Sequence, residues 1–176
     1  AQTHPADEIV LVFDGAVTPE LEAVVSEFEA KLPLSLVKLP KNLGLGKALN
    51  EGLKHCSHDW VFRMDTDDIC VPERFEKQVA FIEQNPETII FGGQIAEFGE
   101  NVNDIVAYRN VPTSAQEIIK FTQKRCPFNH MTVAYQKSAV INCGGYEDLQ
   151  EDYYLWIKLV AQGQKVANLP DILVYA

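Results

Sequence analysis

Residues 8–14, EIVLVFD, form an almost unbroken apolar run that closes on Asp14-Gly15. Such a run suits a strand buried on both faces of a parallel sheet, which needs helices to cover it. The next segments supply them. Thr18-Pro19 offers a helix cap and a first-turn proline, and Leu21, Val24, Val25, Phe28 and Leu32 then recur at helical spacing. Leu34 to Leu39 predicts a second strand and Trp60 to Met64 a third. Between them, Leu45 to His55 predicts a helix with Leu45, Leu49, Leu53 and Cys56 on one face. Strand alternating with helix implies βαβ crossovers and an α/β domain. Pro72 with Phe75, Val79 and Ile82 continues the series as a helix ending near Asn85-Pro86, followed by a strand over Thr88 to Phe91. From Gly92 to Pro112 the signals are short and mixed. Ser114 to Thr122 then reads as a helix, Met131 to Tyr135 as a strand, Lys137 to Cys143 as a short helix stopped by Gly144-Gly145, and Asp152 to Gln162 as a largely apolar helix. Val166 to Leu169 and Ile172 to Tyr175 predict closing strands.

The length of 176 residues predicts one domain with room for a sizeable core. A formal charge of -10 opposes phosphate backbones and anionic lipid, which excludes nucleic acid as a natural partner. An anionic ligand such as a nucleotide therefore requires a cation or a local basic group. Cys56, Cys70, Cys126 and Cys143 form no CxxC pair and are expected to be reduced. No apolar run reaches the roughly 18 to 20 residues of a membrane helix, and the first residues carry no signal pattern. The composition is of a cytoplasmic type.

Chemistry concentrates in WVFRMDTDDIC, where a buried-looking strand runs into Asp65, Thr66, Asp67 and Asp68. Ligands of open α/β sheets bind beyond the carboxyl ends of strands. Carboxylates crowded there repel one another and call for a hard divalent cation, Mg²⁺ or Mn²⁺, which in turn bridges to diphosphate oxygens. The competing reading is an acidic turn before the helix at Pro72. Asp14 ends another predicted strand at the same sheet edge, either as a site residue or as an ordinary Asp-Gly turn. KNLGLGKALNEGL places two glycines and Lys47 at a helix start without matching a dinucleotide or P-loop spacing, leaving Lys47 as the nearest cation for a phosphate. Glu151-Asp152 opens a helix and is either dipole compensation or, opposite a metal cluster, a source of a general base. His130 precedes a strand and either contacts metal, phosphate or acceptor or satisfies a buried turn.

Taken in order, EIVLVFDG, KNLGLGKALNEGL, FRMDTDD, NHMTVAYQKSAV with GGY, and EDYYLWIKL resemble the family 2 glycosyltransferases of GT-A fold that build bacterial lipopolysaccharide, capsule or exopolysaccharide. The resemblance implies a Rossmann-like, mostly parallel sheet flanked by helices and lacking the family's first strand. Residues 1–176 would then be a single GT-A domain within a longer chain. It implies inverting transfer from a nucleotide-diphosphate sugar, a UDP-sugar, to a saccharide or lipid-linked acceptor. Asp65 would lie near the ribose, Asp67 on the Mn²⁺ or Mg²⁺, Asp14 near the uracil, and Asp152 would be the catalytic base. Glu151 and His130 would contact acceptor or phosphate, and Trp156 would be a wall of the site or part of the core. A lipid-linked acceptor would bring the protein to the inner face of the plasma membrane. Two alternatives stand beside this: a nucleotide-sugar-binding module without activity, and a haloacid dehalogenase-like phosphatase in which DTDDI supplies Asp65 as nucleophile and Asp67 as acid/base.

Overall fold

The computed structural model describes residues 1–147 and 151–176, with the backbone alone at Glu151. Its elements run β1 (Ile9–Phe13), α1 (Pro19–Glu29), β2 (Leu34–Lys38), α2 (Leu45–His55), β3 (Trp60–Phe62), β4 (Ile69–Cys70), α3 (Arg74–Gln84), β5 (Thr88–Phe98) and β6 (Ile105–Arg109). They continue with α4 (Ala115–Thr122), a 3-10 turn (His130–Thr132), β7 (Ala134–Gln136), α5 (Lys137–Asn142), α6 (Glu151–Ala161) and β8 (Lys165–Tyr175).

The strands form two sheets. β1 and β2 pair in parallel, and the larger sheet has the order β3-β7-β5-β8-β4 with β6 added to β5. The sheet arrangement is mixed rather than mostly parallel. Only β1–β2 and β5–β8 are parallel, whereas β3–β7, β5–β7, β5–β6 and β4–β8 are antiparallel. The repeating crossovers stop after α3, so the second half adds a hairpin and strands that return in the opposite sense.

β5 is the centre of the core, with Ile90, Phe91, Ile95 and Ala96 fully buried. On one side Ile90 and Val133 pack with Leu155, Trp156 and Leu159 of α6. The other side carries Ile95, Met131, Leu173 and Val174. β5 continues through Gly92-Gly93, where the sequence suggested a break, with a shift of its register against β8 between Gly92 and Gln94. A Cβ on Gly93 would sit 2.5 Å from Cδ1 of Leu173, and one on Gly92 would sit 2.8 Å from Oγ1 of Thr132. Glycine serves here as a close-approach residue, letting β8 and the 3-10 turn press onto the strand.

α1 begins where Thr18-Pro19 indicated, with the Thr18 hydroxyl accepting from the Leu21 N–H. Its apolar stripe is only thinly covered, since Val25 is buried while Leu21, Val24, Phe28 and Leu32 are 43–50% exposed. α1 packs on the small β1–β2 sheet, which offers it much less surface than the main sheet offers α6. α3 departs further from expectation. Its fully buried residues are Arg74 and Gln78, while Phe75, Val79 and Ile82 are half-buried. Those two polar side chains are consumed in holding the segments that carry the site.

Candidate active site

β3 leads into Arg63, Met64 and Asp65, and its end is fastened from two directions. The Arg63 N–H donates to the Val133 carbonyl at 2.9 Å. From α3, Nη2 of Arg74 donates to the Arg63 carbonyl at 2.7 Å and its Nε to Gln78 at 3.0 Å. Gln78 in turn donates to the Thr132 carbonyl at 2.9 Å. Asn129 anchors the same turn by donating to the Gly93 carbonyl at 2.9 Å. A buried arginine and two buried amides with paired donors make a stiff support, because each would be costly to leave unpaired.

On this support His130 joins two carboxylates that are 87 positions apart in the chain. Its Nε2 lies 2.9 Å from Oδ2 of Asp65 and its Nδ1 lies 3.1 Å from Oδ2 of Asp152. The hydrogen bonds to Asp152 and then Asp65 raise the imidazole to about 9, against burial, so it is a cation at neutral pH with both ring N–H groups donating. Burial pushes the Asp65 carboxyl up, and the His130 hydrogen bond with the Arg63 charge outweighs it, leaving Asp65 below the ordinary carboxylate range. Burial also acts on Asp152, and the bonds from His130 and the Tyr153 N–H again bring the net value below that range. The other oxygen of Asp65 is 3.0 Å from Nη2 of Arg63.

The remaining candidates fall around this bridge. Asp67 is exposed, and its carboxylate accepts no hydrogen bond among the described residues. Asp68 is raised, first by burial and then by repulsion from Asp65 and Asp67. Asp14 has both oxygens engaged, accepting from the N–H groups of Leu43 at 2.7 Å and Gly44 at 3.0 Å. It therefore holds the loop that enters α2. Lys47 is exposed on the first turn of α2. Trp156 is core: it is fully buried and ringed by Phe128, Tyr135 and Tyr146 at 6.0 to 6.1 Å. The expected contact role of Glu151 concerns a side chain outside the described residues.

Sequence reasoning missed Arg63. It is 6% exposed, and its Nε and Nη1 have no partner among the described residues. The signal was present in WVFRMD: an arginine inside an apolar strand must find an anion, and Asp65 lies two residues on, on the same face. Beside the bridge, a cavity of about 440 Å³ is lined by His130 and Asp152 together with Arg109, Phe121, Arg125 and Asn129.

A divalent cation would be taken by the exposed Asp67 carboxylate. The donor set suits the use, since Mg²⁺ is commonly held by one or two carboxylates together with substrate phosphates. Asp65 has less to offer a metal, because Arg63 and His130 already engage both its oxygens.

Comparison with known proteins bears on the family and the fold. The description "Glycosyl transferase family 2" matches residues 1–150. A Haemophilus influenzae protein described as an uncharacterized glycosyltransferase is 89% identical over all of this chain and 66% of its own length. An Escherichia coli UDP-Gal:alpha-D-GlcNAc-diphosphoundecaprenol beta-1,3-galactosyltransferase is 41% identical over 98% of this chain and 63% of its own length. Among solved structures, Staphylococcus aureus TarS 1-349 in complex with UDP-GlcNAc superposes with a TM-score of 0.77 at 22% identity, over 99% of this chain and 51% of that one. The fold is thus that of the GT-A glycosyltransferases. The chain belongs to glycosyl transferase family 2, and it spans just under two thirds of the length of the curated relatives it matches.

Proposed function

We propose that the protein is an inverting, metal-dependent glycosyltransferase of cell-surface polysaccharide synthesis, taking a sugar from a nucleotide-diphosphate donor, a UDP-sugar. The observation that carries this reading is the His130 bridge, which sets Asp65 at the end of β3 and Asp152 at the start of α6 on opposite nitrogens of one ring. Asp65 then belongs to the donor side, held by Arg63, where the lone pairs its oxygens keep are available to ribose hydroxyls. Asp67 holds the divalent cation, Mn²⁺ or Mg²⁺, and Lys47 adds positive charge for the donor phosphates. When bound, the cation offsets negative charge gathering on the leaving diphosphate.

Asp152 lines the cavity and acts as the general base for the acceptor hydroxyl. Each of its oxygens accepts one hydrogen bond here, from His130 or from the Tyr153 N–H, and each keeps a further lone pair. A carboxylate held below its usual range is a weak base. It takes the proton as the acceptor oxygen bonds to the anomeric carbon from the face opposite the diphosphate, when that hydroxyl has become acidic. Inversion needs no covalent sugar–enzyme intermediate, so one base suffices.

The phosphatase alternative draws no support from the comparisons, in which glycosyl transferase family 2 matches residues 1–150. No helix among the described residues is long and apolar enough to cross a membrane, and the reading takes a cytoplasmic setting where nucleotide sugars are made. The test is a panel of UDP-sugars offered to the full-length protein with Mn²⁺ and a mixture of saccharide acceptors. Acceptor-stimulated release of UDP is expected, while UDP binding with no release from any donor would establish the binding-module alternative.

A further inference from the structure

The Asn50 side chain is used twice on one distant residue. Its Nδ2 donates to the Tyr146 carbonyl at 2.7 Å and its Oδ1 accepts from the Tyr146 N–H at 2.9 Å, across 96 positions of sequence. A reversed amide would set N–H against N–H and oxygen against oxygen, so the two bonds together fix its orientation. The turn is moulded on this side chain. Gly145 is buried with a φ of 74°, and a Cβ there would lie 2.4 Å from Oδ1 of Asn50. Any other residue would be strained by the backbone and blocked by the amide. Asparagine is also a weaker helix former than the alanine, leucine, glutamate and lysine around it in α2, so the residue type at this position serves the turn and not the helix.

Tyr146 carries that position onward to α6. It is 3% exposed, its ring stands edge-on to Trp156 at 6.1 Å, and its hydroxyl donates to that of Tyr135 on β7 at 3.2 Å. Trp156 follows Asp152 by four residues, so the two share one face of the helix. α2 itself is held without Asn50. Leu53 is buried in the core, and a Cβ on Gly52 would lie 2.9 Å from Cγ2 of Val12 in β1. Losing the amide would therefore release the turn and leave the helix in place, with Lys47 one turn earlier on the same side.

Resting on the reading of the protein as a glycosyltransferase, we propose that Asn50 is a positioning residue for the transfer step: through Tyr146 it sets where Asp152 stands relative to the donor end of α2. It acts by way of the Tyr146 backbone and the Trp156 ring and takes no part in the chemistry. A general base works only within about 3 Å of the oxygen whose proton it takes, and an error of about 1 Å can cost about 10²-fold in rate. Two hydrogen bonds on one buried turn limit that error from the α2 side. From the other side, Asp152 is bonded to His130, and the neighbouring Tyr153 hydroxyl donates to the Thr122 carbonyl at 2.7 Å.

The test uses the full-length protein with Mn²⁺ and the UDP-sugar and acceptor that give stimulated release of UDP. Asn50→Ala is expected to lower the rate at saturating donor and acceptor by at least about tenfold, and to leave the dissociation constant of UDP within about twofold of the unaltered value. A purely structural loss would act alike in any background, so the substitution is repeated in Asp152→Asn. With no base to place, it should there change the residual release by less than about twofold. An equal loss in both backgrounds, an undiminished rate in the unaltered background, or a loss carried by weaker UDP binding overturns the proposal. Asn50→Asp keeps the size of the side chain and its bond from the Tyr146 N–H, and turns an oxygen toward the Tyr146 carbonyl. The same pattern is expected of it, and it carries the test if Asn50→Ala does not fold. Absence of UDP release by the unaltered protein with every donor and acceptor counts against the proposed function, a result distinct from an active protein indifferent to Asn50.

Discussion

Nε2 of His130 lies 2.9 Å from Oδ2 of Asp65, which ties the loop before β7 to the acidic end of β3. Because the opposite ring nitrogen reaches Asp152, a single imidazolium sets the distance between the Asp65 and Asp152 carboxylates.

That bridge has a pH signature. His130 is raised to about 9, so the stability its protonation adds is fully present below the ordinary histidine value of about 6.5 and is lost as pH climbs through 9. Asp65 and Asp152 are depressed, so their contribution is present above the ordinary carboxylate range and lost as pH falls through their folded values. The difference in melting temperature between the unaltered protein and His130→Gln should be widest from about pH 4.5 to 6.5 and close to zero by about pH 9.5. A pH-independent difference would contradict the bridge.

Asp152→Asn keeps the shape of the side chain and removes its ability to take a proton. Acceptor-stimulated UDP release should fall by about 10² to 10⁴-fold, while calorimetric binding of UDP with Mn²⁺ stays as it was. Transfer at an unchanged rate would remove Asp152 from the role of base.

Asp67 is exposed and its carboxylate accepts no hydrogen bond among the described residues, so truncating it should leave the fold intact. Asp67→Ala is expected to abolish the gain in UDP affinity on adding Mn²⁺ and to leave the thermal midpoint of the unliganded protein within about a degree. Metal-enhanced binding that persists would place the cation elsewhere.

Arg63 sits under Asp65, 6% exposed, with one oxygen of Asp65 at 3.0 Å from Nη2. Arg63→Met removes the cation but keeps much of the volume, leaving a half-buried carboxylate with His130 as its remaining partner. A loss of about 1–3 kcal/mol by urea denaturation is expected. Arg63→Lys should recover little of it, since an ammonium does not reproduce the planar donor set.

Gly93 meets Leu173 where a methyl group would lie 2.5 Å from Cδ1 and 3.0 Å from the Asp171 carbonyl. Gly93→Ala should cost about 1–3 kcal/mol through overpacking, read as a lower denaturant midpoint at an unchanged slope.

Much of the first half was legible before any coordinates, for local reasons. Thr18-Pro19 caps α1, α2 spans Leu45–His55 as its spacing indicated, and β1 and the shorter β3 fall within their apolar runs. Gly144 and Gly145, with φ of 92° and 74°, end α5 because glycine tolerates the left-handed region. The candidate residues Asp65, Asp67, His130 and Asp152 were visible as residue types at element ends, which is a property of composition and punctuation.

Hydrophobic period and turn chemistry by themselves placed the helices, β1 to β3 and the acids at element ends, but not β4, β6 or the single long strand β8. They act over a few residues and hold no information about partners far along the chain. Only the tertiary structure decided that β7 enters antiparallel between β3 and β5, that Gly92-Gly93 is an intimate contact instead of a break, and that Asp14 spends both oxygens on the loop before α2. It also decided that His130 stands between Asp65 and Asp152. Those outcomes depend on packing and on pairing buried charge, and both are settled when distant segments meet in low dielectric.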